Sequence, residues 1–286
     1  MKQSIHVMAI SPLHIFNRLV PKHPASHQVA KGISFEPASR LKLDLYAPKG
    51  PVTLPSILFL YGGSWNDGER GNYRFAGRAL ASLGALVAVA DYRLQPEAEY
   101  PVFLEDCTAA YGWLAENAEA HGGSKRLVLA GHSAGAYNAA MVAMDRRYLQ
   151  HHGLREQLAG VVGLCGPYDF FPFDGEISMR TFGAVPDPES TQPINHVSAG
   201  LPPFWLGAGL DDPLVSPQNS RTLASALRAL DIDVTHREYE GMAHAEPLLA
   251  LSWPLNRWRP VLADIGKFLK SLDSGHSAPK NTQKAA

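Results

Sequence analysis

Two hydrophobic rhythms alternate along the chain. VAKGISF (29–35) and RLKLDLYAP (40–48) interleave apolar and polar positions around a turn, which predicts an antiparallel hairpin with one wetted face. SILFLY (56–61) and ALVAVADY (85–92) are unbroken apolar runs of strand length, as expected for strands covered on both faces. Between them NYRFAGRALASL (72–83) has helical spacing. After Pro101, VFLEDCTAAYGWLAENA sets Phe103, Cys107, Ala110, Tyr111 and Leu114 on one helical stripe. The order then repeats: strand RLVLAG (126–131), helix AGAYNAAMVAMDRRYL, strands AGVVGLC (159–165) and PFWLGAG (203–209), helix QNSRTLASALRAL, strand DVTHREYE and a last helix WRPVLADIGKFLKSL. Such alternation predicts an α/β fold with a mostly parallel central sheet, helices on both faces and an antiparallel N-terminal hairpin. Residues 166–200, with five prolines and four phenylalanines, break the rhythm and are expected to form an irregular excursion.

Composition narrows the function classes. At 286 residues and 45% hydrophobic content the chain has enough apolar material for a large core, which excludes wholesale disorder. A formal net charge of -1 argues against a nucleic-acid or anionic-lipid footprint. Cys107 and Cys165 carry no metal-ligand spacing and do not make a secreted disulfide framework, so a reducing, cytoplasmic setting is expected. No apolar run is long enough to span a membrane, and Pro12, His14, Asn17 and Arg18 interrupt the N-terminal apolar stretch. That stretch reads as an amphipathic arm, and the polar residues 273–286 as a frayed tail.

Candidate chemistry gathers where strands end. Gly131-His132-Ser133-Ala134-Gly135 follows an apolar strand and opens an alanine-rich helix, the setting of a nucleophile elbow; as a bare string it would be weak. A serine hydroxyl needs a base, and the base needs an orienting acid. Of the twelve histidines, His132 lies inside the elbow and His236 in mid-strand, whereas His244 lies in the loop after the last strand, where a parallel sheet gathers its site loops. Asp211 and Asp212 leave the end of PFWLGAG, and either is placed to reach His244. Tyr61-Gly62-Gly63-Ser64-Trp65 leaves another strand end, with two glycines free to turn backbone N–H groups toward an oxyanion. Ala134 offers a further N–H, and Tyr61, Trp65 and His132 are expected to contact substrate. Gly207-Ala208-Gly209 lacks the third glycine of a dinucleotide loop.

The YGGSW loop, the DYRL strand end (91–94), GHSAG, GLDDPLV and GMAH resemble, in order and spacing, the motifs of α/β-hydrolase-fold esterases. The likeness covers about residues 28–270 and is nearest the hormone-sensitive-lipase-like and feruloyl or arylformamidase-like carboxylesterases with an H-G-G-x-W loop. It implies an α/β-hydrolase fold with Ser133 as nucleophile, Asp212 as acid, His244 as base, and Gly62, Gly63 and Ala134 as oxyanion donors. Tyr61 stands where the family usually has a histidine that braces the loop. The resemblance implies a 28–272 catalytic domain behind a 1–27 arm, with 166–200 as a short cap and 273–286 as a disordered tail.

The expected function is hydrolysis of small aryl or short-chain esters through an acyl-enzyme, with no metal or organic cofactor. The partner is a small-molecule ester, with no nucleic acid and no membrane, and a homodimer is within range. Arylformamidase activity on N-formylkynurenine-type amides, or a non-catalytic ligand-binding role on a hydrolase fold, are the alternatives. Phe170, Phe171, Phe173 and Phe182 predict a compact apolar cap, and Ile10, Leu13, Ile15, Phe16 and Leu19 of the arm either a further wall or packing on the core.

Overall fold

The computed structural model describes residues 12–36, 38 and 40–274. Helix α1 (Pro12–Leu19) precedes a hairpin of β1 (Ser26–Glu36) and β2 (Leu41–Pro48). Then come β3 (Ser56–Leu60), α2 (Arg74–Ala81), β4 (Val87–Ala90), α3 (Val102–Asn117), β5 (Leu127–His132), α4 (Ala134–Met144) and β6 (Leu158–Leu164). Helix α5 (Glu176–Phe182) lies in the 166–200 excursion, followed by β7 (Phe204–Gly209), α6 (Gln218–Arg228), β8 (Val234–Tyr239), α7 (Glu246–Leu249) and α8 (Val261–Ser274). The eight strands form one sheet in the order β1-β2-β4-β3-β5-β6-β7-β8. Pairs β1/β2 and β2/β4 are antiparallel and the rest parallel. This is the α/β-hydrolase fold.

Strand order fixes where a site can form. From β3 the chain moves one way to β4 and then crosses back over β3 to β5, so right-handed crossovers put α2 and α3 on opposite faces. The connections β5-α4-β6 and β7-α6-β8 run the same way as β4-α3-β5, so α4 and α6 share the α3 face. On the α2 face Leu83 meets Gly266 of α8. Adjacent strands β3 and β5, in register from Ser56↔Leu127 to Leu60↔Gly131, thus send their following segments to opposite faces and leave a crevice at their carboxyl ends. Strands β3, β4 and β5 are buried along their whole length, which is why they read as unbroken apolar runs.

Several boundaries differ from the sequence reading. Helix α4 ends at Met144 instead of reaching Leu149, because Asp145 turns extended (ψ 120°) and its carboxylate accepts the Arg147 N–H at 2.9 Å. Strand β1 begins at Ser26, which pairs with Pro48, so the expected arm boundary at residue 27 falls inside a strand. Helix α8 takes in Asp273 and Ser274; the rest of the expected tail, like Ile10 of the arm, lies outside the described residues. Among the described residues, none of the arm walls the cleft. The Phe16 ring packs edge-on against Phe75 at 5.2 Å, and Asn17 donates to Gly71 O at 2.9 Å and accepts from Phe75 N at 3.1 Å. Those bonds seat α1 beside the segment leading into α2, and Leu19 is left 76% exposed.

Candidate active site

At the end of β5 the backbone turns sharply into α4 through Ser133, at φ 55° and ψ −124°, a conformation L residues rarely adopt. The turn closes only because its neighbours lack side chains. A Cβ on Gly131 would stand 2.2 Å from Gly135 O, and one on Gly135 2.1 Å from Leu60 O. The Ser133 amide is tied to Leu164 O of β6 at 2.9 Å. Its hydroxyl meets His244 Nε2 at 2.8 Å.

His244 arrives from the loop between β8 and α7, and its Nδ1 lies 2.7 Å from Asp212 Oδ2. The Asp212 side chain is almost wholly buried, and its other oxygen accepts the Leu214 and Val215 amides at 2.9 Å each. Burial alone would raise this carboxyl group's pKa. The bond to His244 and the two amides outweigh burial and hold it below the usual carboxylate range, so Asp212 is ionised and His244 carries its proton on Nδ1. Nε2 is therefore a lone-pair acceptor facing a hydroxyl. Asp211 is exposed and does not make this contact.

The segment after β3 faces the elbow. Gly63, Ser64 and Trp65 all have positive φ (139°, 53° and 57°), and a Cβ on Gly62 would sit 3.0 Å from Ser133 Cβ. Trp65 Nε1 donates to the buried Asn138 Oδ1 of α4 at 3.0 Å, and Gly63 O accepts from the Asn66 and Asp67 amides. Ala134 is the first residue of α4, so its N–H has no acceptor within the helix. The DYR residues secure the neighbouring strand end: Asp91 pairs with Arg70, which also bonds Asp44 at 3.0 Å, and Arg93 pairs with the buried Asp106 at 2.6 Å.

A cleft of about 710 Å³ opens over Ser133 and His244, with Trp65, Ala134, Phe170, Phe171 and Leu214 in its walls. Four residues expected to meet substrate do not line it: Gly62 and Gly63, whose loop reaches the cleft at Ser64 and Trp65, and Tyr61 and His132. The Tyr61 ring is 1% exposed, stacked between Tyr92 (4.6 Å) and Tyr73 (5.5 Å), where burial of three aromatic rings outweighs exposure at a strand end. His132 is buried as well. Its Nε2 lies 3.1 Å from His244 O and must donate, and burial, then the nearby His244, push its pKa down to about 3. His132, Cys165 and His244 bring possible ligand atoms within 4.8 Å of one another. The set suits a metal poorly: both His244 nitrogens are engaged, and burial pushes the Cys165 thiol up to about 12, whereas a ligand must be a thiolate.

The cap is fastened by side chains that no local sequence signal exposes. Asn219 Oδ1 accepts the Tyr168 and Asp169 amides at 2.7 and 2.8 Å, and Gln192 Oε1 accepts the Phe170 amide at 2.9 Å. Beneath them Phe182 packs on Trp65 and Tyr137 at 5.0 and 5.4 Å.

Comparison with known proteins agrees with this architecture. A probable isoprenylcysteine alpha-carbonyl methylesterase of Arabidopsis thaliana is 28% identical over 256 residues, covering 78% of this chain and 52% of that protein. Esterase LipC of Mycobacterium tuberculosis is 27% identical over 230 residues, covering 72% of this chain and 57% of that protein. The chain therefore spans little more than half the length of these two relatives. Among solved structures, esterase B from Lactobacillus rhamnosis superposes with a TM-score of 0.77 at 21% identity, over 90% of this chain and 91% of that one. Thermogutta terrifontis esterase 2 gives 0.70 at 24% identity, over 91% and 98%. The BD-FAE family profile matches residues 43–227, well over half of the sequence. With its strand order and its elbow, that match makes the chain a member of the BD-FAE family, built on the α/β-hydrolase fold.

Proposed function

We propose that the protein is a serine carboxylesterase that hydrolyses small aryl or short-chain esters through an acyl-enzyme. The observation that carries this reading is the continuous relay Ser133 Oγ, His244 and Asp212, with bonds of 2.8 and 2.7 Å, beneath an open cleft. Ser133 gives its proton to His244 Nε2 as its oxygen bonds to the ester carbonyl carbon. The carbonyl oxygen takes the electron pair and is met by the N–H groups of Gly62, Gly63 and Ala134. When the tetrahedral adduct collapses, the ester C–O bond breaks and His244 protonates the departing alkoxide. A water then repeats the sequence on the acyl-enzyme, giving up a proton to His244 and releasing the acid and the Ser133 hydroxyl. Asp212 stays ionised throughout and stabilises the transient imidazolium. No step calls for a metal or an organic cofactor.

The esterase names borne by the relatives support this class of substrate. Among the described residues no helix is long and apolar enough to cross a membrane. A cytoplasmic location and a homodimer belong to the proposal; the first rests on two unpaired, buried cysteines, and sedimentation checks the second. Paired assays on a p-nitrophenyl butyrate and an aryl formamide test the reaction class. Ester turnover exceeding formamide turnover by orders of magnitude is expected, and the reverse ranking overturns the esterase reading.

A further inference from the structure

Once an oxyanion site is built from a glycine loop, its amides must be kept pointing at the substrate, and glycine gives the loop no steric reason to hold them there. In this protein the loop's carbonyls are held from behind. The Tyr92 hydroxyl donates to Tyr61 O at 2.7 Å, and the Tyr73 hydroxyl donates to Gly62 O at 3.0 Å. In a planar trans peptide the C=O and the following N–H point in opposite directions. Drawing Tyr61 O toward Tyr92 therefore turns the Gly62 N–H the other way, and drawing Gly62 O toward Tyr73 does the same for the Gly63 N–H. Among the described residues neither amide has another acceptor.

We infer that Tyr73 and Tyr92 are positioning residues for the oxyanion site, each hydroxyl fixing the orientation of one amide donor through the peptide plane it holds. This inference rests on the esterase reading. The two residues arrive from different elements, Tyr73 from the turn before α2 and Tyr92 from the segment after β4, so the two peptide planes are held independently. Both rings stack on Tyr61, whose bulk fills the space between them. Gly68 makes room for that ring, since a Cβ there would stand 2.8 Å from it. Burial pushes both hydroxyls' pKa values upward, so they remain protonated donors wherever the enzyme is folded. Neither hydroxyl lines the cleft, and both act only through the loop.

Tyr73→Phe and Tyr92→Phe keep the rings and remove the bonds. Each should lower kcat about tenfold and the double variant about a hundredfold, within the loss seen when an oxyanion donor is removed, with KM within about twofold. The readout that packing alone would not move is affinity for an aryl trifluoromethyl ketone, which adds Ser133 and places an oxyanion in the site. Its Ki should rise in proportion to the fall in kcat/KM, while the Ki of the corresponding methyl carbinol, which carries no oxyanion, stays unchanged. Wild-type kcat in both variants overturns the inference, as does a parallel loss of ketone and carbinol binding. If one variant fails to fold, the other decides, because each hydroxyl holds its own amide. The control is organophosphate labelling of the wild type, abolished in Ser133→Ala. If that control fails, the esterase reading has failed, which is a separate result from Phe variants that behave like the wild type.

Discussion

Ser133 holds a backbone conformation that costs about 1–3 kcal/mol, and the tight glycine packing around it keeps it there. If its hydroxyl is the nucleophile, Ser133→Ala removes organophosphate labelling and lowers turnover by several orders of magnitude, and labelling retained in that variant contradicts the role. The two neighbouring aspartates separate cleanly. Asp212→Asn should lower kcat by about 10⁴ through loss of the Nδ1 tautomer of His244, and exposed Asp211→Asn should cost little; the opposite ranking would move the acid by one residue. His132 makes a different prediction. Its folded pKa is about 3, against about 6.5 in an unfolded chain, so below pH 6.5 the unfolded state takes up the proton first. Stability is thus full above that value and declines as pH falls toward 3, by on the order of 4 kcal/mol from this group alone. Urea midpoints between pH 7 and pH 4 should fall more steeply for the wild type than for His132→Asn.

The elbow element tolerates no added carbon. Gly131→Ala or Gly135→Ala drives a methyl group into backbone carbonyl groups at 2.1–2.2 Å, and several kcal/mol of destabilisation is expected, visible as a thermal midpoint lowered by ten degrees or more. These glycines were legible in the sequence because their spacing encodes a local backbone event, and the strands were legible because burial on both faces leaves continuous apolar runs. Other parts of the site were not. Tyr73, Tyr92, Asn138, Asn219 and Gln192 each bond a group brought near by the fold, in several cases more than 20 positions away, and short-range periodicity carries no trace of such pairings. Asn138 came nearest to a signal, as a polar side chain inside the alanine-rich α4. Position at a strand end suggests a substrate contact for Tyr61 but says nothing of which way the ring packs, and the ring is buried.

On the scale of the whole molecule, reversal of strand order beside β3 sets the crevice, and the 166–200 excursion roofs it. Phe170, Phe171 and Pro172 wall a cleft of about 710 Å³, which favours short acyl chains: each methylene that fits gains about 0.8 kcal/mol, and each that does not forces repacking. Across p-nitrophenyl esters kcat/KM should peak between acetate and hexanoate and fall at palmitate, and a maximum at the long-chain end would refute a cleft bounded by the cap. The bonds from Asn219 of α6 to two cap amides, with Gln192 holding a third from within the cap, bear on how velocity responds to the physical state of the substrate. A roof stitched to its walls has no second position to take up when an ester passes its solubility limit. Velocity plotted against total ester should therefore follow one hyperbola and flatten where the solution turns turbid. An upward break at the onset of turbidity would mean that the stitching gives way when droplets form.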